Sequence, residues 1–160
     1  MRIRSSKVVV FLLTFFILLS QVFTSSFALA DNKVPFTIFH TNDMHGRLGY
    51  EEYKGKPTSF GSAREKALID KEKKENPDRT VIALDAGDAF QGLPASNQSK
   101  GQDMAKAMNE IGYKAMAAGN HEFDFGLDTV EKYKNNTQNG GWLNFPILST
   151  NVYKDGKRLF

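Results

Sequence analysis

Three short stretches of the chain place side chains that could bind a metal or transfer a proton directly after an apolar run. The densest is residues 119–126 (GNHEFDFG), which follow the small apolar residues 115–118. Residues 38–46 (IFHTNDMHG) and 81–88 (VIALDAGD) have the same design. Open α/β sheets usually carry their chemistry just past the carboxyl ends of strands. The three stretches therefore predict one shared site.

The acids and histidines in these stretches suit divalent cations. Asp43 and His45 are separated by one residue, so both could reach one ion, and carboxylate with imidazole favours zinc, manganese or iron over calcium. Asp88 follows Gly87, which allows close backbone approach, and its two oxygens can bridge two metals. Asn120 adds a neutral amide oxygen. Together they predict two cations about 3.5–4 Å apart, which generate hydroxide and clamp a phosphoryl oxygen.

The spacing of His121 and Asp124 allows a loop or a first helical turn to bring the two side chains together. A carboxylate on one imidazole nitrogen fixes the tautomer and leaves the other nitrogen to transfer a proton. Each motif alone also fits a simple hydrogen-bonded turn, so the metal site is indicated by their conjunction. Asp85 is interpreted as a structural acid that caps the strand end or bonds loop amides, and His40 as a satisfied structural histidine.

The periodicity along the chain supplies the elements that position these residues. Alternating or β-branched apolar runs predict four strands, and three stretches with apolar positions on one face predict helices between them. The strands are expected at residues 34–40, 80–84, 114–118 and 145–151, and the helices at 62–74, 102–111 and 127–135, with loops over 41–58 and after Asp88 and a hairpin turn at 154–157. The expected inner faces are Ala63, Ala67, Leu68 and Ile69 in the first helix, Met104, Ala105, Met108 and Ile111 in the second, and Leu127, Val130 and Tyr133 in the third. This order predicts an α/β fold with a parallel sheet, right-handed crossovers and strand carboxyl ends at one edge.

The first thirty residues are typical of an export signal. Arg2, Arg4 and Lys7 precede an apolar run over residues 8–19, which is too short for a comfortable membrane span. Residues 28–30 (ALA) form a small-x-small cleavage site, so we expect residues 1–30 to be a signal peptide that is removed, leaving no stable membrane span. An uncleaved membrane anchor is the alternative.

Composition narrows the remaining classes of function. The chain has 21 Lys+Arg and 18 Asp+Glu, and the basic surplus lies before residue 8, while no acid precedes Asp31. Residues 31–160 therefore carry no net formal charge, and the pI of about 9.0 reflects the export signal and says nothing about nucleic acid. Because residues 31–160 contain no basic stripe with interleaved aromatics, we expect no nucleic-acid polymer as a partner. The absence of cysteine excludes thiolate metal sites, disulfides and cysteine nucleophiles.

Four motifs stand in order along the chain. They are Thr41-Asn42-Asp43-Met44-His45-Gly46, Asp85-Ala86-Gly87-Asp88, Gly119-Asn120-His121-Glu122-Phe123-Asp124 and Leu148-Ser149-Thr150-Asn151. In wording and order they resemble the motifs of the 5'-nucleotidase branch of the calcineurin-like metallophosphoesterases. The resemblance covers about residues 36–160, and the wording of the second and third motifs is closest to exported, often wall-attached 5'-nucleotidases of Gram-positive bacteria, including adenosine-producing ones. It implies the N-terminal half of an α/β/β/α sandwich with a mostly parallel sheet.

The resemblance also implies roles by position. Asp43 and His45 match ligands of a first metal, Asp88 the bridging carboxylate, and Asn120 a ligand of a second metal. His121 with Asp124 matches the catalytic dyad. Two divalent ions (Zn, Mn or Mg) would activate the attacking water, and an AMP-like nucleoside 5'-phosphate would be the substrate. A 2',3'-cyclic nucleotide phosphodiesterase and a UDP-sugar hydrolase are related alternatives.

The resemblance is incomplete at its downstream end. The family supplies two further histidines from later loops and a second domain that stacks the nucleobase, whereas no histidine follows His121 in this sequence. We therefore expect residues 31–160 to be the N-terminal portion of a catalytic domain from a secreted or wall-attached enzyme. The alternative is a truncated metal-binding fragment with weak or no catalysis.

Overall fold

The computed structural model describes residue 10, residues 33–134 and residues 137–160. Val34–Phe160 form one compact unit. Of the predicted signal peptide over residues 1–30, only Val10 is among the described residues. Asn135, the last residue of the third predicted helix, also lies outside them. Within the described ranges, no helix has the length and apolar character needed to cross a membrane.

Four parallel strands form the central sheet, in the order β1-β4-β5-β6. The predicted α/β architecture with strand ends at one edge is therefore confirmed. In chain order the elements are β1 Phe36–Thr41, β2 Glu51–Tyr53, β3 Lys56–Ser59, α1 Ser62–Glu75, β4 Thr80–Asp85, α2 Pro94–Gln98, α3 Gln102–Ile111, β5 Ala115–Ala117, a 3-10 turn His121–Phe123, α4 Leu127–Lys134, a 3-10 turn Thr137–Asn139, β6 Ile147–Leu148, β7 Tyr153–Lys154 and β8 Lys157–Arg158.

The core lies against one face of this sheet and is built mainly on α3. The predicted inner face of α3 is confirmed, since its apolar residues at helical spacing are buried, and the helix ends at Gly112 in the left-handed conformation (φ 92°) that suits a glycine cap. Phe90 stacks on Tyr133 of α4 with ring centroids 4.2 Å apart. The buried residues of α3 are Met104, Ala105, Met108 and Ile111.

The predicted inner faces of two other helices are partly wrong. Of the apolar stripe expected on α1, only Ile69 is buried, whereas Ala63, Ala67 and Leu68 are exposed. The helix packs on α3 and β4, and only one row of its surface is covered. In α4, Val130 and Tyr133 are buried, but the expected inner residue Leu127 is exposed.

Two regions predicted as loops contain short elements. The loop over residues 41–58 carries the β2–β3 hairpin, whose turn places Lys54 and Gly55 at positive φ (50° and 73°), as a tight hairpin turn requires. The loop after Asp88 contains α2, which begins with Pro94 in its first turn. Conversely, the strand predicted over 145–151 is only Ile147–Leu148, while the predicted hairpin over 154–157 is confirmed as β7–β8.

One face of β1 is exposed. Burial alternates along this strand, so Phe36, Ile38 and His40 share the uncovered face, with the first two 61% and 49% exposed. The interpretation of His40 as a satisfied structural histidine is therefore wrong, because this residue is exposed to solvent. Parallel sheets are usually covered on both faces, and the described part of the chain covers the other one.

Asp85 ties the end of β4 to the end of β1. Thr41 Oγ1 donates to Asp85 Oδ2 (2.6 Å), and the Gly87 N–H donates to Asp85 Oδ1 (2.8 Å), so this acid bonds a loop amide as predicted. Burial raises the pKa of Asp85 from 3.8 to about 6, against the opposing effect of both hydrogen bonds, and the charges of Glu122 and Asp43 add to the increase.

The raised pKa predicts how Asp85 affects stability. The folded state binds this proton more tightly than the unfolded chain, so the stabilisation is complete below about pH 4 and is lost as the pH rises through about 6. Asp85→Asn mimics the protonated acid, because its Oδ1 can accept from Gly87 while its amide donates to Thr41. The variant should gain up to about 3 kcal/mol over the wild type between about pH 4 and pH 7.

Urea unfolding of the metal-free chain across this pH range measures the difference. Asp78→Asn, a change at an exposed acid, is the control and should follow the wild type. Parallel pH profiles for the wild type and Asp85→Asn would contradict the prediction.

Candidate functional site

The loops that follow β1 and β4 run side by side beyond the end of the sheet. The Asp43 N–H donates to the Gly87 carbonyl (3.0 Å), the His45 N–H to the Asp88 carbonyl (3.0 Å), and the Gly46 N–H to the Ala89 carbonyl (2.8 Å). The pairing of the two strands thus continues into the loops. It brings the first two motifs together.

Three of the predicted metal ligands have a backbone conformation that residues other than glycine rarely adopt. Asp43, His45 and Asp88 have φ values of 52°, 48° and 58°, in the left-handed region. That conformation costs a residue other than glycine roughly 1–2 kcal/mol. Such strain persists only where surrounding structure enforces it, and it concentrates at functional sites.

His45, Asp88 and His121 converge. One ligand atom from each lies within 4.8 Å of the other two, and the two imidazole rings meet edge to face with centroids 5.1 Å apart. Asp43 lies beside them, with Oδ1 3.8 Å from His45 Nε2. The sheet edge has therefore assembled side chains from three separate motifs into one cluster.

A hydrogen bond to the backbone fixes the orientation of the His45 ring. Its Nδ1 lies 2.9 Å from the Gln91 carbonyl oxygen, so Nδ1–H donates there and Nε2 is left with a lone pair. Asn97 of α2 holds this segment by bonding both backbone groups of Gly92 (2.8 and 3.0 Å). A side chain on Gly92 would collide with His45, whose Cβ lies 2.6 Å from the position of an added Cβ. Neither Gln91 nor Asn97 was expected from the sequence, because the short helix α2 was not predicted.

His121 and Asp124 are brought together as predicted, within the turn at the end of β5. His121 Nδ1 lies 2.7 Å from Asp124 Oδ2, and both side chains are partly exposed. The hydrogen bond to Asp124 raises the pKa of His121; desolvation opposes this, and the charges of Asp124, Asp88 and Glu122 reinforce it. The sequence assigned His121 to proton transfer alone, whereas its position in the cluster also permits metal ligation.

Asn120 and Glu122 flank His121 and differ in exposure. Asn120 is exposed, immediately before the turn, and its carbonyl accepts the Phe123 N–H (3.2 Å). Glu122 is fully buried and accepts hydrogen bonds from loop amides. The sequence predicted no role for Glu122, because nothing in the pattern indicates that this acid is buried while its polar neighbours are not.

The contact with Asp124 predicts the titration of His121. In the metal-free chain the His121 ring should titrate above its ordinary pKa of 6.5, and Asp124→Asn should bring its pKa back towards that value. Because the chain has three histidines, an NMR pH titration of the ring protons can be assigned by substitution. Asp128→Asn, at an exposed acid in the first turn of α4, is the matched control. An unchanged His121 pKa in Asp124→Asn would refute the assigned contact.

Gly119 predicts a purely steric effect on Asp88. A Cβ at Gly119 would overlap Asp88 Oδ1 and lie 2.8 Å from the Asp88 nitrogen. Gly119→Ala should therefore displace the Asp88 carboxylate and weaken binding of Mn²⁺ at least about tenfold, as changes next to metal ligands commonly do. Gly49→Ala is the control, because its Cβ would enter open space. Calorimetric titration with Mn²⁺ compares the two, and equal affinities would contradict the steric argument.

Known proteins resemble this chain along the same residues. The family model described as calcineurin-like phosphoesterase matches residues 36–160. A 5'-nucleotidase of Vibrio parahaemolyticus is 41% identical over 135 residues, covering 82% of this chain and 22% of its own length. Protein UshA of Escherichia coli K12 is 36% identical over 167 residues, covering 100% of this chain and 28% of its own length. The chain thus spans less than a third of either relative.

Solved structures resemble the fold as well. The 5'-nucleotidase precursor of Thermus thermophilus superposes with a TM-score of 0.56 at 34% identity, over 70% of this chain and 21% of that one. The NAD nucleotidase of Haemophilus influenzae superposes with a TM-score of 0.60 at 30% identity, over 74% of this chain and 21% of that one. Since the matching family model spans the whole sheet and all four motifs, the chain belongs to the calcineurin-like phosphoesterase family.

Proposed function

We propose that this chain carries the first part of the metal centre of an exported phosphoric monoester hydrolase that acts on nucleoside 5'-phosphates. The observation that carries the proposal is the convergence of His45, Asp88 and His121, with their ligand atoms within 4.8 Å of one another. The relatives named 5'-nucleotidase support the substrate class, and the sequence of residues 1–30 supports export.

The residues present fit divalent transition metals. Imidazole and carboxylate donors in one cluster suit zinc or manganese, and the hydrogen bond to Gln91 prepares His45 Nε2 as a donor. Asp43 and His45 would hold one ion, Asp88 would bridge, and Asn120 would contribute to a second; Mg²⁺ is the third candidate metal. When bound, divalent ions supply Lewis acidity towards a phosphoryl oxygen.

His121 and Asp124 would handle the proton. Asp124 holds the proton on His121 Nδ1 and raises the pKa of the ring, so that more of it is charged near neutral pH. A charged imidazole can stabilise negative charge on the phosphoryl group or donate a proton to the departing 5'-oxygen. Its partial exposure leaves the ring accessible to a substrate.

The assay for this function is phosphate release from AMP by the chain produced without residues 1–30, with Mn²⁺ or Zn²⁺ added. His121→Ala should lower turnover by about a hundredfold or more, the usual contribution of a positioned acid or base. His40→Ala is the matched control, because this histidine lies exposed on the sheet face. NAD and UDP-sugars belong in the substrate panel, since one relative is an NAD nucleotidase.

Each outcome has a distinct meaning. Turnover that survives His121→Ala unchanged would contradict the role of His121. Metal binding without any turnover would favour the alternative of a metal-binding fragment, and absence of both would overturn the proposal.

A further inference from the structure

Glu122 connects the two loops that carry the cluster. Its side chain has no solvent exposure. Oε1 accepts the Ala89 N–H (2.9 Å), while Oε2 accepts both the Asp88 N–H (2.9 Å) and the Gly119 N–H (2.7 Å). One carboxylate therefore binds the loop after β4 twice and the loop after β5 once.

The backbone around Asp88 is shaped to receive this carboxylate. Gly87 and Asp88 have positive φ values of 107° and 58°, and the successive N–H groups of residues 88 and 89 both reach the Glu122 carboxylate. Such concave pairs of amides bind anions. Hydrogen bonds to a carboxylate are about twice as strong as those between neutral groups. The bonds from the Asp88 and Ala89 N–H groups to Glu122 therefore help to hold Asp88 in its strained backbone conformation.

A reciprocal hydrogen bond completes the connection. The His121 N–H donates to Asp88 Oδ1 (2.9 Å), so each loop presents a carboxylate to the backbone of the other. The Glu122 carboxylate fixes where the Asp88 backbone lies, and the Asp88 carboxylate fixes where the His121 backbone lies. The distance between these two cluster members depends on both contacts.

We propose that Glu122 is a positioning residue, which sets the separation of the two loops and so holds the Asp88 carboxylate, a proposed metal ligand, in place beside His121. It contributes no ligand atom, because its two oxygens are occupied by amides in the buried region beneath the cluster. The inference rests on the proposed function, since it assigns Glu122 an effect on the metal affinity of that site.

Glu122→Gln tests this role with little change of shape. The amide keeps one acceptor oxygen, but its NH₂ group would face a backbone N–H group from which it cannot accept a hydrogen bond. At least one connection between the loops is lost, so the variant should bind Mn²⁺ about 10–100-fold more weakly, as outer-shell changes at metal sites do. Glu110→Gln makes the same chemical change at an exposed position of α3 and should bind as the wild type does.

The measurement is calorimetric titration of the purified chain with Mn²⁺, at a temperature where circular dichroism shows each variant to be folded. Weaker binding by folded Glu122→Gln supports the inference, and unchanged affinity overturns it. No binding by the wild type overturns the proposed function and the inference with it.

A second variant covers the case in which Glu122→Gln does not fold. Glu122→Asp keeps the charge but is one methylene shorter, so it can hold one loop but not both, and it should fold with weakened Mn²⁺ binding. If neither variant folds, Glu122 serves only stability and the positioning role is overturned.

Discussion

The structure depends on parallel pairing that does not stop where the strands stop. β1 and β4 pair from Phe36 with Thr80 to Thr41 with Asp85, and the backbone bonds then continue through residues 43–46 and 87–89. Ordinary loops diverge at the end of a sheet, whereas these two stay within hydrogen-bonding distance. This continuation turns residues far apart in sequence into neighbours and forces the left-handed conformations of Asp43, His45 and Asp88.

Two buried acids stabilise successive pairs of loops by the same chemistry. Asp85 accepts from Thr41 and from the Gly87 amide, which joins the ends of β1 and β4. Glu122 accepts three amides and joins the loops after β4 and β5. Burying a carboxylate is costly unless its hydrogen bonds are complete. Each carboxylate oxygen of both acids accepts a hydrogen bond, which lessens this cost, although the raised pKa of Asp85 shows that burial still outweighs its two bonds. The acids that face the cluster, Asp43 and Asp124, are exposed.

The sequence predicted what periodicity and strand order determine. The parallel sheet, α3 with its buried face and the convergence of Asp88 with His45 follow from apolar runs that end in polar motifs. What it missed depends on contacts between distant residues. Ala63 and Leu68 of α1 are exposed because little packs over them, α2 is too short for a periodic signal, and Glu122 differs from its polar neighbours only in where the turn after β5 places it.

The glycines show that the cluster is set by the backbone rather than by the side chains alone. Gly119 lets the loop after β5 approach Asp88, and Gly92 lets the segment bearing Gln91 approach His45. With the Gln91 carbonyl on His45 and the buried carboxylate beneath Asp88, ligand directions are fixed by contacts that involve no ion. A site prepared in this way loses little conformational entropy when a ligand binds. On the proposed function, the strain at Asp88 and its neighbours is part of a preorganised metal-binding geometry.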